Sequence, residues 1–169
     1  AYWLHKGLLE LGVESKILTN ARNVSGFIET KTILNSRKQK ALDFARNKID
    51  HLQVFFYSGK NAYGFSTSLY GYTFRKHEFY KWADILHLHW INRGFVNIRH
   101  LKKVDKPIIW TLRDMWPLTG GCHMAEALDC LNYKEKCGKC PQIDSNRSFD
   151  ISRMLWRRKK RNYPQGMKL

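Results

Sequence analysis

Residues 106–123 read K-P-I-I-W-T-L-R-D-M-W-P-L-T-G-G-C-H. The run Pro107 to Leu112 is almost wholly apolar and rich in β-branched and aromatic side chains, so it predicts a strand buried on both faces. Arg113 and Asp114 then close it with two charged residues, and Gly120 and Gly121 break the chain shortly after. Upstream, Asp84 to His89 has the same apolar character. Between the two, Gly94 to Val104 places Phe95, Ile98 and Leu101 at helical spacing. Strand, helix and strand over this length predict a right-handed crossover joining a parallel pair. The fold class is therefore α/β, an open parallel sheet. Ligands of such sheets bind outside the carboxyl ends of the strands, which here are His87 to Trp90 and Arg113 to Trp116.

Working outward, Leu4, Leu8, Leu9 and Leu11 predict a helix over residues 1–11, with Gly12 at its left-handed end. Val13 to Leu18 reads as a short strand. Residues 36–52 predict a second helix, capped by Ser36 and turning Ala41, Leu42, Ala45 and Ile49 to the core. Tyr57 to Gly71, rich in Gly, Ser, Asn and Tyr, reads as a surface loop. The chain begins at Ala1 within a helical pattern and stops at Leu169 after Pro164 and Gly166, which reads as a fragment of something longer.

The 169 residues hold 43% apolar side chains and six Trp, a globular composition, and no apolar run approaches the roughly 18–20 residues that span a bilayer. The net charge of +16 gives the chain a field that draws anions: phosphates, acidic lipid or nucleic acid. The charge is concentrated late, for no acidic residue follows Asp150. Phe149 to Tyr163 predicts a basic amphipathic helix whose Arg153, Arg157, Arg158, Lys159, Lys160 and Arg161 suit an anionic membrane surface. A docked helix with a solvated basic face accounts for the same pattern.

His87 and His89 lie two apart on a strand, so both imidazoles leave one face, close to a strand end. They read as substrate contacts or as packed core histidines. Arg113 offers a planar fork of donors for phosphate, carboxylate or sugar hydroxyls, with Asp114 beside it as a partner or helix cap. Cys122, Cys130, Cys137 and Cys140 follow at intervals of seven, six and two intervening residues. The C-G-K-C pair is spaced for one tetrahedral zinc, with His123 able to replace a sulfur; reduced thiols and two disulfides remain as alternatives. Four sulfur ligands would leave zinc no open position, so its role would be structural.

D-I-L-H-L-H-W (84–90), K-P-I-I-W-T-L-R-D-M-W-P-L-T-G-G-C-H (106–123), C-G-K-C-P-Q (137–142) and the opening L-H-K-G-L-L-E-L-G-V-E-S-K (4–16) resemble the amino-terminal domain of bacterial family 4 glycosyltransferases. These are retaining enzymes of the GT-B fold that build surface polysaccharides, and the resemblance implies a Rossmann-like parallel sheet flanked by helices, the amino-terminal half of that fold. The resemblance implies that residues 1–169 are an incomplete acceptor-side domain. The first strand and its glycine-rich loop would be absent, a cysteine-rich insertion would occupy 120–142, and the donor-binding domain would lie outside. It further implies a nucleotide-sugar donor, a glycan or lipid-linked acceptor, no catalytic metal, and a cytoplasmic enzyme that can sit peripherally at the inner membrane face. The fragment alone would be inactive. Arg113 and Asp114 would be the catalytic positions, and His87, His89, Trp90 and Trp116 would line the substrate cleft. Arg113 stands where many members carry a histidine that contacts the donor sugar; a guanidinium keeps its proton near neutral pH and so would stabilise charge, not act as a base. The competing class is a zinc-knuckle nucleic-acid binder or a noncatalytic interaction domain. Only Trp156 and Tyr163 interleave the terminal basic cluster, which is few for base stacking, and no nucleic-acid partner is expected.

Overall fold

A computed structural model of the chain describes residues 1–57 and 64–164. Along it run α1 (Tyr2–Glu10), β1 (Ile17–Thr19), β2 (Thr30–Thr32), α2 (Arg37–Phe55), α3 (Glu78–Trp82), β3 (Leu86–Leu88), β4 (Ile108–Trp110) and α4 (Ile151–Asn162), with short 3-10 turns between them. The strands form two separate parallel pairs, β1 with β2 and β3 with β4, flanked by helices. The expected α/β class is observed. The single open sheet is not, because each described strand is only three residues long and finds one partner.

α1 ends as its sequence dictates. Gly12 takes φ +74°, its N–H reaches Leu9 O at 3.0 Å, and Val13 N–H reaches Leu8 O at 2.9 Å, the double bond of a Schellman cap. That cap occupies Val13, so β1 starts later than Val13 and covers Ile17–Thr19. β2, with polar Thr30, Lys31 and Thr32, carries too little apolar pattern to be read from sequence.

Ser36 caps α2 as predicted, its hydroxyl accepting from Gln39 N–H at 3.2 Å. The buried face of α2 is a correction. Ala41, Leu42, Ala45 and Ile49 are exposed, and Asp43, Asp50 and Val54 point inward. The reason is the segment that α2 covers: Phe65, Ser66, Thr67 and Ser68 are buried backbone outside regular structure, and buried donors there need acceptors. Asp50 accepts from Thr67 N–H at 2.9 Å and from the Thr67 hydroxyl. Thus 65–68 is interior, not the surface loop expected for Tyr57 to Gly71; residues 58–63 of that stretch lie outside the described residues.

β3 and β4 pair in the register Leu86↔Ile108, His87↔Ile109 and Leu88↔Trp110. Their connection contains a 3-10 helix, Ile98–Lys103, where an α-helix was expected; Asn97 Oδ1 caps it through Arg99 N–H at 3.0 Å. Ile98 and Leu101 are fully buried against Ile91, Val96, Trp110 and Trp116, the core beneath the pair. α4 packs across the Ile98–Lys103 turn and buries Ser152, Leu155, Trp156 and Lys159. Its N-cap Asp150 accepts from Arg153 N–H through Oδ1 and from Cys140 N–H through Oδ2, both at 3.1 Å, tying the cysteine segment to the helix start. Gly120 permits the close approach: a Cβ there would stand 2.0 Å from the Ser152 carbonyl oxygen.

Candidate functional site

The parallel pair delivers the two histidines as its geometry requires. The His87 and His89 rings stack with centroids 4.4 Å apart and planes 23° from parallel, and His87 Nε2 lies 2.7 Å from Thr111 Oγ1 on the neighbouring strand. His89 Nδ1 is buried with no hydrogen-bond partner among the described residues. Burial, then the adjacent His87 and Arg113, pull the His89 pKa down to about 4. Burial also lowers that of His87. Both rings are therefore held toward the neutral form, able to donate and accept at once. Arg113 is exposed and acts electrostatically on His89. His87, His89, Trp90 and Arg113 are brought together at the carboxyl ends of adjacent parallel strands.

Asp114 is held in a network. Its Oδ2 accepts from Trp90 Nε1 at 3.0 Å and lies 2.6 Å from His123 Nδ1; its Oδ1 accepts from Trp116 N–H at 2.9 Å. His123 Nε2 in turn lies 2.9 Å from Ser66 Oγ. His123 is thus committed to Asp114 and Ser66, not to the cysteines, which corrects its reading as a replacement for a sulfur. Carboxylate, imidazole and hydroxyl in series have the connectivity of a hydrolase triad. Here the serine is 2% exposed and locked in the interior, so the series positions Trp90 and the strand end and does not attack substrate. Sequence reasoning missed the Ser66 contact because 57 residues separate it from His123. The link forms because the Phe65↔Cys122 antiparallel bridge lays the two segments together.

Two expected site residues are placed elsewhere. Trp116 is 1% exposed, its Nε1 donating to Ser66 O at 2.8 Å, so it is core and not a substrate contact. Lys159 is 3% exposed and cannot reach a membrane. Its ammonium sits 3.5 Å from the Trp116 ring centroid and donates to Trp116 O and, at 3.0 Å, to Thr119 O. Burial draws its pKa down to about 7. Arg157, Lys160 and Arg161 do face solvent, while Arg153 and Arg158 are half-buried. Among the described residues, no helix is long and apolar enough to cross a membrane.

The four cysteines are free thiols; Cys122, Cys137 and Cys140 are buried and Cys130 is half-buried. Cys122 Sγ and Cys140 Sγ share a hydrogen bond at 3.5 Å, which lowers the Cys140 thiol and raises that of Cys122. Among the described residues, no three His, Cys, Asp or Glu side chains already stand as a metal-holding group.

No family model matches the chain, and no solved structure matches it. Over 74 residues, 41% of the chain, it is 34% identical to the putative colanic acid biosynthesis glycosyl transferase WcaC of Escherichia coli K12. The chain spans 18% of that protein's length. The match relates the chain to a glycosyltransferase, and its helices and small parallel sheets are compatible with a Rossmann-like fragment of one.

Proposed function

We propose that the chain supplies the acceptor-side part of a retaining GT-B glycosyltransferase of surface polysaccharide synthesis, moving a sugar from a nucleotide-sugar to a glycan or lipid-linked acceptor. The observation that carries the reading is the convergence of Arg113, two neutral-leaning stacked imidazoles and the Trp90 ring at one parallel strand end. Trp90 is 43% exposed and offers a ring face to a sugar, while Asp114 fixes its indole N–H from behind. His87 and His89 can hydrogen-bond hydroxyls in either sense. Arg113 biases the rim toward a diphosphate.

In the reaction, the bond between the sugar's anomeric carbon and the diphosphate oxygen breaks. The acceptor oxygen bonds to that carbon on the same face, and the acceptor's proton leaves with the diphosphate. Arg113 stabilises the charge that grows on the departing phosphate, and the histidines and Trp90 hold the sugars in register. Asp114 acts as a positioning residue through Trp90 and His123. No catalytic metal enters this reading. Exposed Arg157, Lys160 and Arg161 provide the cationic patch for a peripheral stay at the cytoplasmic membrane face, where lipid-linked acceptors would be met.

The test is nucleoside diphosphate release by the full natural protein, assayed against a panel of nucleotide-sugars with lipid-linked and free glycan acceptors. Arg113→Ala is expected to lower kcat by about 10² or more with little change in the acceptor's KM. No release with any donor, or an Arg113→Ala enzyme as fast as the parent, overturns the reading.

A further inference from the structure

The geometry points to a structural zinc site formed by Cys122, Cys130, Cys137 and Cys140, which fastens the segment after β4 to α4. All four cysteines line one cavity of about 10 Å³, shared with Thr119, Tyr133 and Ser152. A space of that size admits roughly one water-sized particle. Sulfur-rich walls are poor hosts for a water, which needs several strong polar partners, and good hosts for a soft divalent cation.

The spacing of the sulfurs agrees. Bonds of about 2.3 Å in a tetrahedron set neighbouring sulfurs roughly 3.8 Å apart, and Cys122 Sγ and Cys140 Sγ stand at 3.5 Å, far from a covalent bond and close to that edge. Cys137 and Cys130 border the same space, and metal binding would draw their thiols inward to complete the shell. The backbone of the C-G-K-C turn is shaped for it: Gly138 has φ +132° and Lys139 φ +48°, curling the chain so that Cys137 and Cys140 both end inside. Gly120 N–H already donates to Cys137 Sγ at 3.2 Å, the kind of outer contact that steadies a thiolate ligand.

Charge supplies an independent argument. Four thiols that bind one Zn²⁺ release four protons and leave a centre of net charge −2. The buried ammonium of Lys159 bonds to the carbonyl of Thr119, the residue before Gly120, and so stands one residue from the N–H that holds Cys137. Its direct contacts are neutral carbonyls and a ring face; beside the carboxylates of Asp114 and Asp50, which also act on it, the tetrathiolate adds counter-charge to this interior cation. The site also explains how a segment built of short 3-10 turns, 126–128, 132–134 and 141–143, holds a fixed shape. Because His123 follows Cys122, the metal anchors the imidazole that braces Asp114.

Metal content of the full natural protein, purified under reducing conditions from a zinc-supplemented host, tests the site by mass spectrometry alongside thiol titration in denaturant. About one zinc per chain is expected, released as a mercurial thiol reagent replaces each Zn–S bond with an Hg–S bond, four equivalents per zinc. Replacement by cobalt is expected to give thiolate-to-cobalt charge-transfer bands and tetrahedral ligand-field bands. Half-buried Cys130 tolerates change best, so Cys130→Ser should keep the fold while weakening zinc binding by about 10-fold or more; Cys137→Ser and Cys140→Ser should weaken it further. Absence of stoichiometric zinc after anaerobic reconstitution, recovery of fewer than four thiols because of disulfides, or a Cys130→Ser protein with undiminished affinity would each overturn the assignment.

Discussion

Removing the Asp114 carboxylate tests whether the strand end is braced from behind. Asp114→Ala strips the acceptor from three donors: Trp90 Nε1, Trp116 N–H and His123 Nδ1. They are not equal. Trp90 is 43% exposed and its indole N–H can turn to water, so its loss costs about 0.5 kcal/mol. The side chain of His123 is 11% exposed and the Trp116 amide is part-buried; each is left short of an acceptor at about 1–1.5 kcal/mol. The sum is about 3 kcal/mol, and for a chain of this size each kcal/mol moves Tm by about 2–4 °C, giving a fall of about 6–12 °C. Differential scanning calorimetry reads the fall. A double-mutant cycle with His123→Gln isolates the Asp114 to His123 bond, with an expected coupling of at least 1 kcal/mol, as befits contacting groups. A Tm within about 2 °C of the parent, or a coupling below about 0.3 kcal/mol, would refute the reasoning.

The His89 ring makes stability depend on pH. Its folded pKa, about 4, lies below the ordinary 6.5 of the unfolded chain, so the unfolded state binds more protons between those values. The contribution is whole above about pH 6.5 and is lost as pH falls toward 4, and His89→Asn should flatten urea-midpoint profiles across that window. Gly120→Ala would drive a methyl group into the Ser152 carbonyl 2.0 Å away; thermal melts should show a loss of about 1–3 kcal/mol, and an unchanged Tm would mean that α4 does not press on the glycine turn. For the Arg161→Ala, Lys160→Ala and Arg157→Ala triple variant, flotation with anionic vesicles should fall, while Lys159→Met, altering a residue sealed from the surface, should leave flotation of folded protein unchanged.

What was legible in the sequence was local. The two apolar runs fixed the β3 and β4 pair, period two put His87 and His89 on one face, and Ser36 and Gly12 marked helix ends that the structure keeps. The failures of burial and contact share a cause: each turned on a partner distant in the chain. α2 was oriented by its apolar stripe, yet the buried backbone of 65–68 required the carboxylate of Asp50, and polar satisfaction set the inward face. Lys159 lies in a run of basic residues that reads as solvated, but it falls on the side of α4 that meets Trp116 and Thr119. Trp116, placed at a strand end by counting, is drawn inside because its indole N–H finds Ser66 O. The Asp114, His123 and Ser66 series was invisible for the same reason, since no spacing rule joins positions so far apart.

The interior position of Lys159 has a practical use. Amine-directed labels such as acyl esters should mark Lys160 on the open flank of α4 and skip its immediate neighbour, whose nitrogen is enclosed by carbonyls and an indole. One tryptic map would then hold a reactive residue beside a silent one. The moment the silent residue takes up label reports when this helix lifts off, giving a built-in chemical clock for local opening.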